Sequence, residues 1–203
     1  MYKNIVFDFG GVMVDFDPHK YLLDLFGNRG LEEEVYDLTF GSREWRLLDA
    51  GRITRREANE RMLQRARAVG RGFEVEGVLD DWMSMLHPRR RMQTLVEQLK
   101  QRGYCVYYLS NIPEDVLDLL MHRDFEGLFD GGVASCEVKV NKPDPRIYQT
   151  LLDKYHLRAD ECIFIDDRAD NLVAASALGF GTYEMHNVGT LLRSLPTFGV
   201  SLH

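Results

Sequence analysis

Residues 4–11 read Asn-Ile-Val-Phe-Asp-Phe-Gly-Gly, a short apolar run that ends at an acidic residue and two glycines. β-Branched and aromatic residues in a run of this length are typical of a buried strand, and the glycines that follow mark a loop. The same pattern returns at residues 104–109 and again at 162–165. The polar residues that follow the three runs are Asp8, the pair Ser110 and Asn111, and the pair Asp166 and Asp167.

Helical patterns separate these predicted strands. Asp144 precedes Pro145, so that an N-cap is followed by the residue favoured at the first helical position. Another helical pattern follows the third strand and stops at Gly179. Residues 132–134 and 181–184 are weaker strand candidates. Alternating strands and helices predict an α/β protein whose parallel sheet is covered on both sides.

The segment 16–86 differs from the rest because it contains helical patterns and no convincing strand. Thr54 and Glu57, for example, form a capping box at the start of one predicted helix. A chain of 203 residues is long enough for one core of about 100 to 150 residues and an additional lobe. We therefore predict a core formed by residues 1–15 and 87–203, with 16–86 inserted after the first strand.

The composition excludes several classes of protein. A formal net charge of −7 argues against a nucleic-acid surface, since nucleic-acid binders usually carry a basic face. The three cysteines, Cys105, Cys136 and Cys162, are too widely spaced to indicate a disulfide framework or a zinc site. No segment reaches the length of a membrane span. We expect a cytoplasmic protein that binds neither nucleic acid nor a membrane.

Asp8 is the candidate nucleophile. A carboxylate can attack phosphorus and form an aspartyl-phosphate, which divides a difficult displacement into two easier steps. Asp166 and Asp167, together with Asp8, supply the hard oxygen ligands that Mg²⁺ prefers. A single Asp after a strand is more often a turn former or a helix cap, but two adjacent carboxylates repel each other unless a cation relieves them. The pair therefore favours a magnesium site.

Lys142 and Ser110 are candidates for holding a phosphate group. A Lys ammonium supplies positive charge, and a Ser hydroxyl and the N–H groups that open the next helix donate hydrogen bonds to phosphate oxygens. Both residues also have an ordinary interpretation, because Lys142 precedes Pro143 in what could be a surface loop and Ser110 could cap the next helix. Four features in this order, three of them at strand ends, favour a phosphoryl-transfer site.

Four motifs that extend over almost the whole chain resemble those of the haloacid dehalogenase superfamily of hydrolases. They are Phe-Asp-Phe-Gly-Gly-Val at 7–12, Leu-Ser-Asn at 109–111, Asn-Lys-Pro-Asp-Pro at 141–145 and Phe-Ile-Asp-Asp-Arg-Ala-Asp-Asn at 164–171. The helical insertion between the first and second motifs is similar to the α-helical cap of that family. The resemblance implies a Rossmann-like core and a cap that closes over the substrate.

The resemblance also implies a role for each matching residue. It implies that Asp8 is the nucleophile and that Ser110 and Lys142 complete the catalytic set. Phosphate contacts are expected from Gly11, Ser110, Asn111 and Lys142. Mg²⁺ ligands are expected from Asp8, the Gly10 carbonyl, Asp166 and Asp167.

Gly10 departs from the family pattern, which usually has a second Asp two positions after the nucleophile. In the family, that Asp gives its carbonyl to the metal and acts as an acid toward the leaving group. The carbonyl remains here but the proton donor does not, and positioned acid–base catalysis contributes about 10²- to 10⁴-fold. Asp15, Asp17 or water are candidate replacements. The Gly resembles a family branch that includes bacterial sugar-1-phosphate phosphatases, whose anomeric leaving groups need less protonation.

The predicted function is a Mg²⁺-dependent phosphatase that acts on a small phosphomonoester, with a sugar phosphate as one candidate, through an aspartyl-phosphate on Asp8. Two alternatives stay open. Dehalogenase chemistry needs no metal, and the adjacent Asp166 and Asp167 argue against it. A phospholigand-binding or regulatory protein that lost turnover through Gly10 is the second alternative. The sequence predicts neither the identity of the substrate nor the oligomeric state.

The helical insertion contains one group of residues that could reach a substrate. Trp45, Arg46 and Asp49 lie on one helical face by their spacing. Because an aromatic residue at helical spacing more often serves packing, we place none of the three in the predicted catalytic set.

Overall fold

The computed structural model describes residues 2–202, and a parallel sheet lies at its centre. The strands in this range are β1 (Asn4–Phe7), β2 (Val14–Asp15), β3 (His87–Pro88), β4 (Cys105–Ser110), β5 (Gly131–Ala134), β6 (Cys162–Asp166) and β7 (Gly181–Glu184). Five of them form the central sheet in the order β5-β4-β1-β6-β7, with every neighbouring pair parallel. The predicted α/β class is confirmed, and so are both weaker strand candidates.

The register of β1 places its end beside the ends of two neighbouring strands. Phe7 pairs with Tyr108 on β4 and with Ile165 on β6. All four residues of β1 are buried, as expected for a central strand between two parallel partners. The residues one step further along the three strands are Asp8, Leu109 and Asp166.

Helices fill the segment between β2 and β3. They are α1 (Pro18–Phe26), α2 (Arg29–Leu38), α3 (Arg43–Asp49), α4 (Arg55–Ala68) and α5 (Gly72–Asp81), followed by a 3₁₀ turn at Trp82–Met85. β2 and β3 pair antiparallel where the chain enters and leaves this segment. No strand lies within residues 16–86, in agreement with the helical prediction. We keep 16–86 as the proposed extent of the cap, on a proposed core of residues 1–15 and 87–203.

Local sequence signals account for helix starts in both parts of the molecule. In the cap, the Thr54 hydroxyl accepts from the Glu57 N–H at 3.2 Å, and the Glu57 carboxylate accepts from the Thr54 N–H at 2.9 Å. This is the predicted capping box at the start of α4. In the core, the Asp144 side chain accepts from the Arg146 N–H at 3.0 Å, one residue after Pro145. The capping residues were therefore predictable without tertiary information.

The remaining helices cover both faces of the sheet. They are α6 (Arg90–Gln101), α7 (Glu114–Arg123), α8 (Ser135–Val138), α9 (Pro145–Tyr155), α10 (Ala169–Ala177) and α11 (Val188–Ser194). Ile5 and Phe7 belong to a core cluster on one face, whereas Val6 belongs to a second cluster on the other face. None of the helices between residues 2 and 202 combines the length and the apolar composition that a bilayer span requires.

Candidate active site

Asp8, Ser110 and Asp166 lie together at the edge where β1, β4 and β6 end. The N–H of Asp8 donates to the Ile165 carbonyl at 3.0 Å, which continues the sheet one residue beyond β1. The carboxylate of Asp8 accepts hydrogen bonds from the Phe9 N–H, at 2.7 Å, and from the Ser110 hydroxyl. The sheet and these two donors therefore fix the orientation of the candidate nucleophile.

The Lys142 side chain is buried between two carboxylates. Its ammonium nitrogen lies 3.0 Å from Oδ2 of Asp8 and 2.6 Å from Oδ2 of Asp166. It also donates to the Leu109 carbonyl at 2.9 Å. Only 1% of the Lys142 side chain is exposed, so it is not a surface-loop charge. One cation thus joins the ends of all three central strands.

Burial is the largest influence on the charges of this cluster. Burial raises the pKa of Asp8 to about 7, while the Lys142 ammonium lowers it and the Asp166 carboxylate raises it further. Burial by itself would lower the pKa of Lys142, but the carboxylates of Asp8 and Asp166 outweigh burial and hold that pKa above its usual value. Lys142 is therefore a fixed cation, and Asp8 ionises most readily when a second cation lies beside it.

Asp166 is held by the loop and the helix that follow β6. Its carboxylate accepts from the Arg168 N–H at 2.8 Å and from Nδ2 of Asn171 at 3.1 and 3.0 Å. Asn171 is itself buried, and its carbonyl accepts from the Tyr148 hydroxyl at 2.9 Å. Asn171 is the last residue of the fourth motif, and its motif position alone predicted no role for it. Asn171 acts as a positioning residue for the Asp166 carboxylate.

Three carboxylates have the spacing needed to hold a metal ion. One oxygen from each of Asp8, Asp166 and Asp167 lies within 4.8 Å of the others. Although the Asp167 side chain is exposed, its partial desolvation and the Asp166 charge raise its pKa, while the Lys142 and Arg168 cations lower it. The Gly10 carbonyl accepts no hydrogen bond from residues 2–202. These hard oxygen donors fit Mg²⁺ in kind and in number.

The two glycines after Asp8 serve different purposes. Gly11 has φ +70°, and a Cβ atom on it would lie 2.2 Å from Oδ2 of Asp167. Both facts require glycine at this position. Gly10 is outside the left-handed region, and a Cβ atom there would meet Phe16 at an ordinary 3.5 Å. The backbone therefore does not oblige residue 10 to be glycine.

Two of the residues predicted to contact phosphate use their polar groups in hydrogen bonds within the protein. The N–H of Gly11 donates to the Val14 carbonyl at 2.9 Å, so its predicted hydrogen bond to phosphate has no support in this geometry. The Asn111 side chain donates to the Lys142 carbonyl at 3.0 Å and accepts from the Lys142 N–H at 2.7 Å. Gly11 thus lets the loop approach Asp167, and Asn111 fixes the loop that carries the buried ammonium.

A cavity extends from this edge of the sheet into the cap. Its polar lining consists of Asp49, Ser110 and Asn111. The remainder is apolar and includes Trp45 and Trp82, whose ring centroids are 4.9 Å apart. Trp45 therefore packs in the cap, as expected, and also lines the cavity. Arg46 is exposed and bonds to the Gly41 carbonyl at 3.0 Å, away from this lining.

Asp15 and Asp17, the candidate replacements for the missing acid, both have structural partners. The Asp15 carboxylate pairs with Nε of Arg89 at 2.6 Å. The Asp17 side chain caps α1 by accepting from the Lys20 N–H at 3.0 Å. Neither residue lines the cavity. The structure therefore gives no support to either as a proton donor.

A parallel-sheet edge that carries a cluster of carboxylates, with a helical insertion lining the adjoining cavity, is the architecture of a capped α/β hydrolase. The chain matches the model of the haloacid dehalogenase-like hydrolases over residues 2–179, and it belongs to that family. The resemblance in the four motifs is thereby confirmed, as is the prediction of a hydrolytic enzyme.

Relatives of known activity share most of the length of this chain. A sesquiterpene phosphatase of Aspergillus oryzae is 31% identical over 182 residues, which cover 88% of this chain and 87% of the relative. A D-ribitol-5-phosphate phosphatase of Bacteroides thetaiotaomicron is 29% identical over 201 residues, covering 92% and 93%. A haloacid dehalogenase family enzyme of that bacterium, solved with magnesium and inorganic phosphate, has a TM-score of 0.73 at 24% identity, covering 95% of this chain and 100% of that chain. This likeness confirms the fold.

Proposed function

We propose that the protein is a Mg²⁺-dependent phosphatase that hydrolyses a small phosphomonoester through an aspartyl-phosphate on Asp8. The observation that carries this proposal is the contact of Lys142 with both Asp8 and Asp166, beside a third carboxylate on Asp167. A cation fixed beside a buried carboxylate favours its ionised, nucleophilic form and opposes the effect of burial. The two phosphatases among the full-length relatives support the same class of reaction.

The reaction has two displacement steps at phosphorus. In the first, an oxygen of Asp8 attacks phosphorus, a bond forms between them, and the ester P–O bond breaks. In the second, water attacks the same phosphorus, the bond to Asp8 breaks, and inorganic phosphate leaves. Lys142 and the Ser110 hydroxyl, which both contact the Asp8 carboxylate in the structure, turn to the phosphate oxygens through both steps, and Asp166 keeps Lys142 in place. Asp8 returns to its carboxylate form at the end.

The three carboxylates and the Gly10 carbonyl are the residues that would hold Mg²⁺. When bound, the ion neutralises charge on the nucleophile and on the phosphate, so that two anions can meet. Burial raises the pKa of Asp8 and of Asp167, and this supports a role for added positive charge at the cluster. In this scheme Asp166 is both a Mg²⁺ ligand and the ion-pair partner of Lys142.

The lining of the cavity favours an alcohol with an apolar skeleton as the leaving group. Apart from Asp49, Ser110 and Asn111, the lining residues have no polar side chain other than the indoles of Trp45 and Trp82. A sugar has several hydroxyl groups that would lose their hydrogen bonds to water against such a surface. The sugar phosphate considered from the sequence is therefore less well supported than the monoester of an apolar alcohol. We keep a small phosphorylated metabolite as the expected partner.

A phosphatase screen with and without Mg²⁺ tests the proposal. Release of inorganic phosphate from aryl, isoprenoid and sugar monophosphates is measured, then repeated in excess EDTA. We expect Mg²⁺-dependent release, fastest for apolar alcohols, and an acid-stable covalent phosphate on Asp8 is sought by mass spectrometry. Phosphate binding by calorimetry without turnover on any substrate would favour the binding-protein alternative. Halide release from a 2-haloacid in EDTA would favour the dehalogenase.

A further inference from the structure

The leaving group of the proposed reaction needs a proton, and the structure contains one acid in the right cavity. Among the described residues that line the cavity, Asp49 is the only one with an acidic side chain, and it shares that lining with Gly10 and Ser110. Gly10 is the position from which the usual acid is missing. Because Asp15 and Asp17 have other partners, Asp49 is the acid that remains.

Asp49 is held at the active site by contacts between the cap and the core. It is the last residue of α3, and its backbone carbonyl accepts from the Ser135 hydroxyl at 2.5 Å. The neighbouring carbonyl of Gly51 accepts from the Lys139 ammonium at 2.9 Å. The Arg46 carbonyl accepts from the Asn141 amide at 2.8 Å. The end of α3 is thus tied to the core segment that leads directly to Lys142.

The Asp49 carboxyl group is free to act. Within residues 2–202 it forms no hydrogen bond and no ion pair. Burial raises the pKa of Asp49 to about 7, while the Arg55 guanidinium lowers it and the carboxylates of Asp8 and Asp115 raise it further. Asp49 shares the cavity lining with Ser110, whose hydroxyl donates to the Asp8 carboxylate. The Arg55 guanidinium lies 5.6 Å from the ring centroid of Trp45 and 5.2 Å from that of Trp82, and both rings line the same cavity.

We propose that Asp49, supplied by the cap, is the general acid that protonates the leaving alcohol, in place of the acid absent at Gly10. This inference rests on the proposed phosphatase function. As the ester P–O bond breaks, the Asp49 proton moves to the departing oxygen, and the neutral alcohol leaves. In the second step, the attacking water gives its proton to the Asp49 carboxylate as its oxygen bonds to phosphorus. Each cycle therefore consumes one ester and one water and restores both carboxyl groups.

Single-turnover kinetics of Asp49→Asn test the role of Asp49, because only a poor leaving group needs a proton. Two substrates are compared, 4-nitrophenyl phosphate and 3-methylbutyl phosphate. We expect the rate of alkyl ester cleavage to fall by about 10²- to 10⁴-fold, and the rate of nitrophenolate release to fall by less than ~10-fold. Asp37→Asn is the matched control, since Asp37 is an exposed acid of the cap, outside the cavity. It should change neither rate.

The possible outcomes distinguish an error in the role of Asp49 from an error in the proposed phosphatase function. Equal losses for both substrates would show that Asp49 only positions the cap, and an unchanged alkyl rate would show that another group is the acid. Either result overturns the inference. Mg²⁺ affinity, measured by calorimetry, should be unchanged in Asp49→Asn, because Asp49 is not one of the clustered carboxylates. If the wild type cleaves neither substrate while Asp8 stays unmodified, the proposed phosphatase function fails first.

Discussion

The catalytic edge of the core and the cavity-lining part of the cap differ in how their polar groups are satisfied. At the edge, Asp8 and Asp166 accept hydrogen bonds from several donors, and Lys142 is buried against both. In the cap, Trp82 and other apolar side chains line the cavity around Asp49, whose carboxyl group has no partner in the described range 2–202. The side chains at the edge are therefore fixed by several hydrogen bonds, whereas the cap contributes an apolar lining and one carboxyl group without a partner.

The difference indicates a division of labour within a single site. In the proposed reaction the edge contacts the phosphoryl group, which is the same in every monoester, so a substitution there should affect all substrates alike. The cap would contact the alcohol, which varies, so a substitution there should have effects that depend on the leaving group. Substitutions in the two regions therefore give different patterns of kinetics, and these patterns test the comparison.

The largest effect is expected from Asp8→Asn at the edge. The amide keeps the volume of the side chain but is a far weaker nucleophile, so turnover should fall by about 10⁴- to 10⁶-fold on every substrate. Steady-state kinetics on an aryl and an alkyl phosphate measure this, with a melting curve to show that the variant is folded. A folded variant that retains substantial activity would remove the central claim.

Substitutions at Asp166 and Asp167 should differ in their effect on stability but should both weaken Mg²⁺ binding. Asp166 is fully buried and accepts from Lys142, Asn171 and the Arg168 N–H, so Asp166→Asn should lower the free energy of unfolding by about 3 kcal/mol. Asp167 is exposed, so Asp167→Asn should change it by less than ~0.5 kcal/mol. Both variants should lose at least ~10-fold in Mg²⁺ affinity.

Urea titrations without metal, together with Mg²⁺ calorimetry, test this pair of variants. The Asp167→Asn protein is the internal control for the loss of one negative charge from the cluster. Unchanged Mg²⁺ affinity in Asp167→Asn would move the metal ligand elsewhere. Equal destabilisation by the two substitutions would show that the burial of Asp166 has no energetic consequence, and the description of the edge would be wrong.

The stability of the metal-free protein should depend on pH with a definite sign. In the folded state the pKa of Asp8 and that of Asp49 are raised from 3.8 to about 7. The stability that these carboxyl groups contribute is fully present below their unfolded pKa and is lost as the pH rises through about 7. Mg²⁺ at about 100 times its Kd should add ~2.7 kcal/mol near pH 8. It should add less near pH 5, where protons compete for Asp8.

Melting temperatures near pH 5 and pH 8, each with and without Mg²⁺, measure this linkage. Asp8→Asn should reduce the fall in stability with pH and the stabilisation by Mg²⁺. Asp49→Asn should reduce only the fall with pH, because the cap carboxyl group is not a metal ligand. Equal stabilisation by Mg²⁺ at both pH values would contradict the link between metal binding and deprotonation of Asp8.

The same comparison explains which parts of the molecule could be predicted from sequence. Asp8, Ser110 and Asp166 follow directly from strands, and the register of parallel strands brings them together, so local pattern was sufficient. The position of Asp49 depends on how α3 docks against Ser135 and Asn141, far away in the chain. Helical spacing indicated that Asp49 could face a substrate, but no local pattern assigned its carboxyl group a chemical role. The role of Asn171 was also not predictable, because its hydrogen bonds to the Asp166 carboxylate become apparent only in the folded structure.

The smallest effect is expected from Gly10→Asp, which restores the acid that the family usually has. If Asp49 already supplies the proton, this variant should change alkyl-phosphate turnover by less than ~10-fold, well short of the about 10²- to 10⁴-fold that a new donor contributes. In the Asp49→Asn background, the same substitution should recover most of the lost alkyl rate, because the new carboxyl group lies in the same cavity.

Gly10 is outside the left-handed region and a Cβ atom is tolerated beside Phe16, so the backbone should accept the change. A melting curve and an Mg²⁺ titration verify this. A large gain in the wild-type background, with no extra gain in the double variant, would show that wild-type Asp49 donates no proton and that the cap contributes only surface to the leaving alcohol.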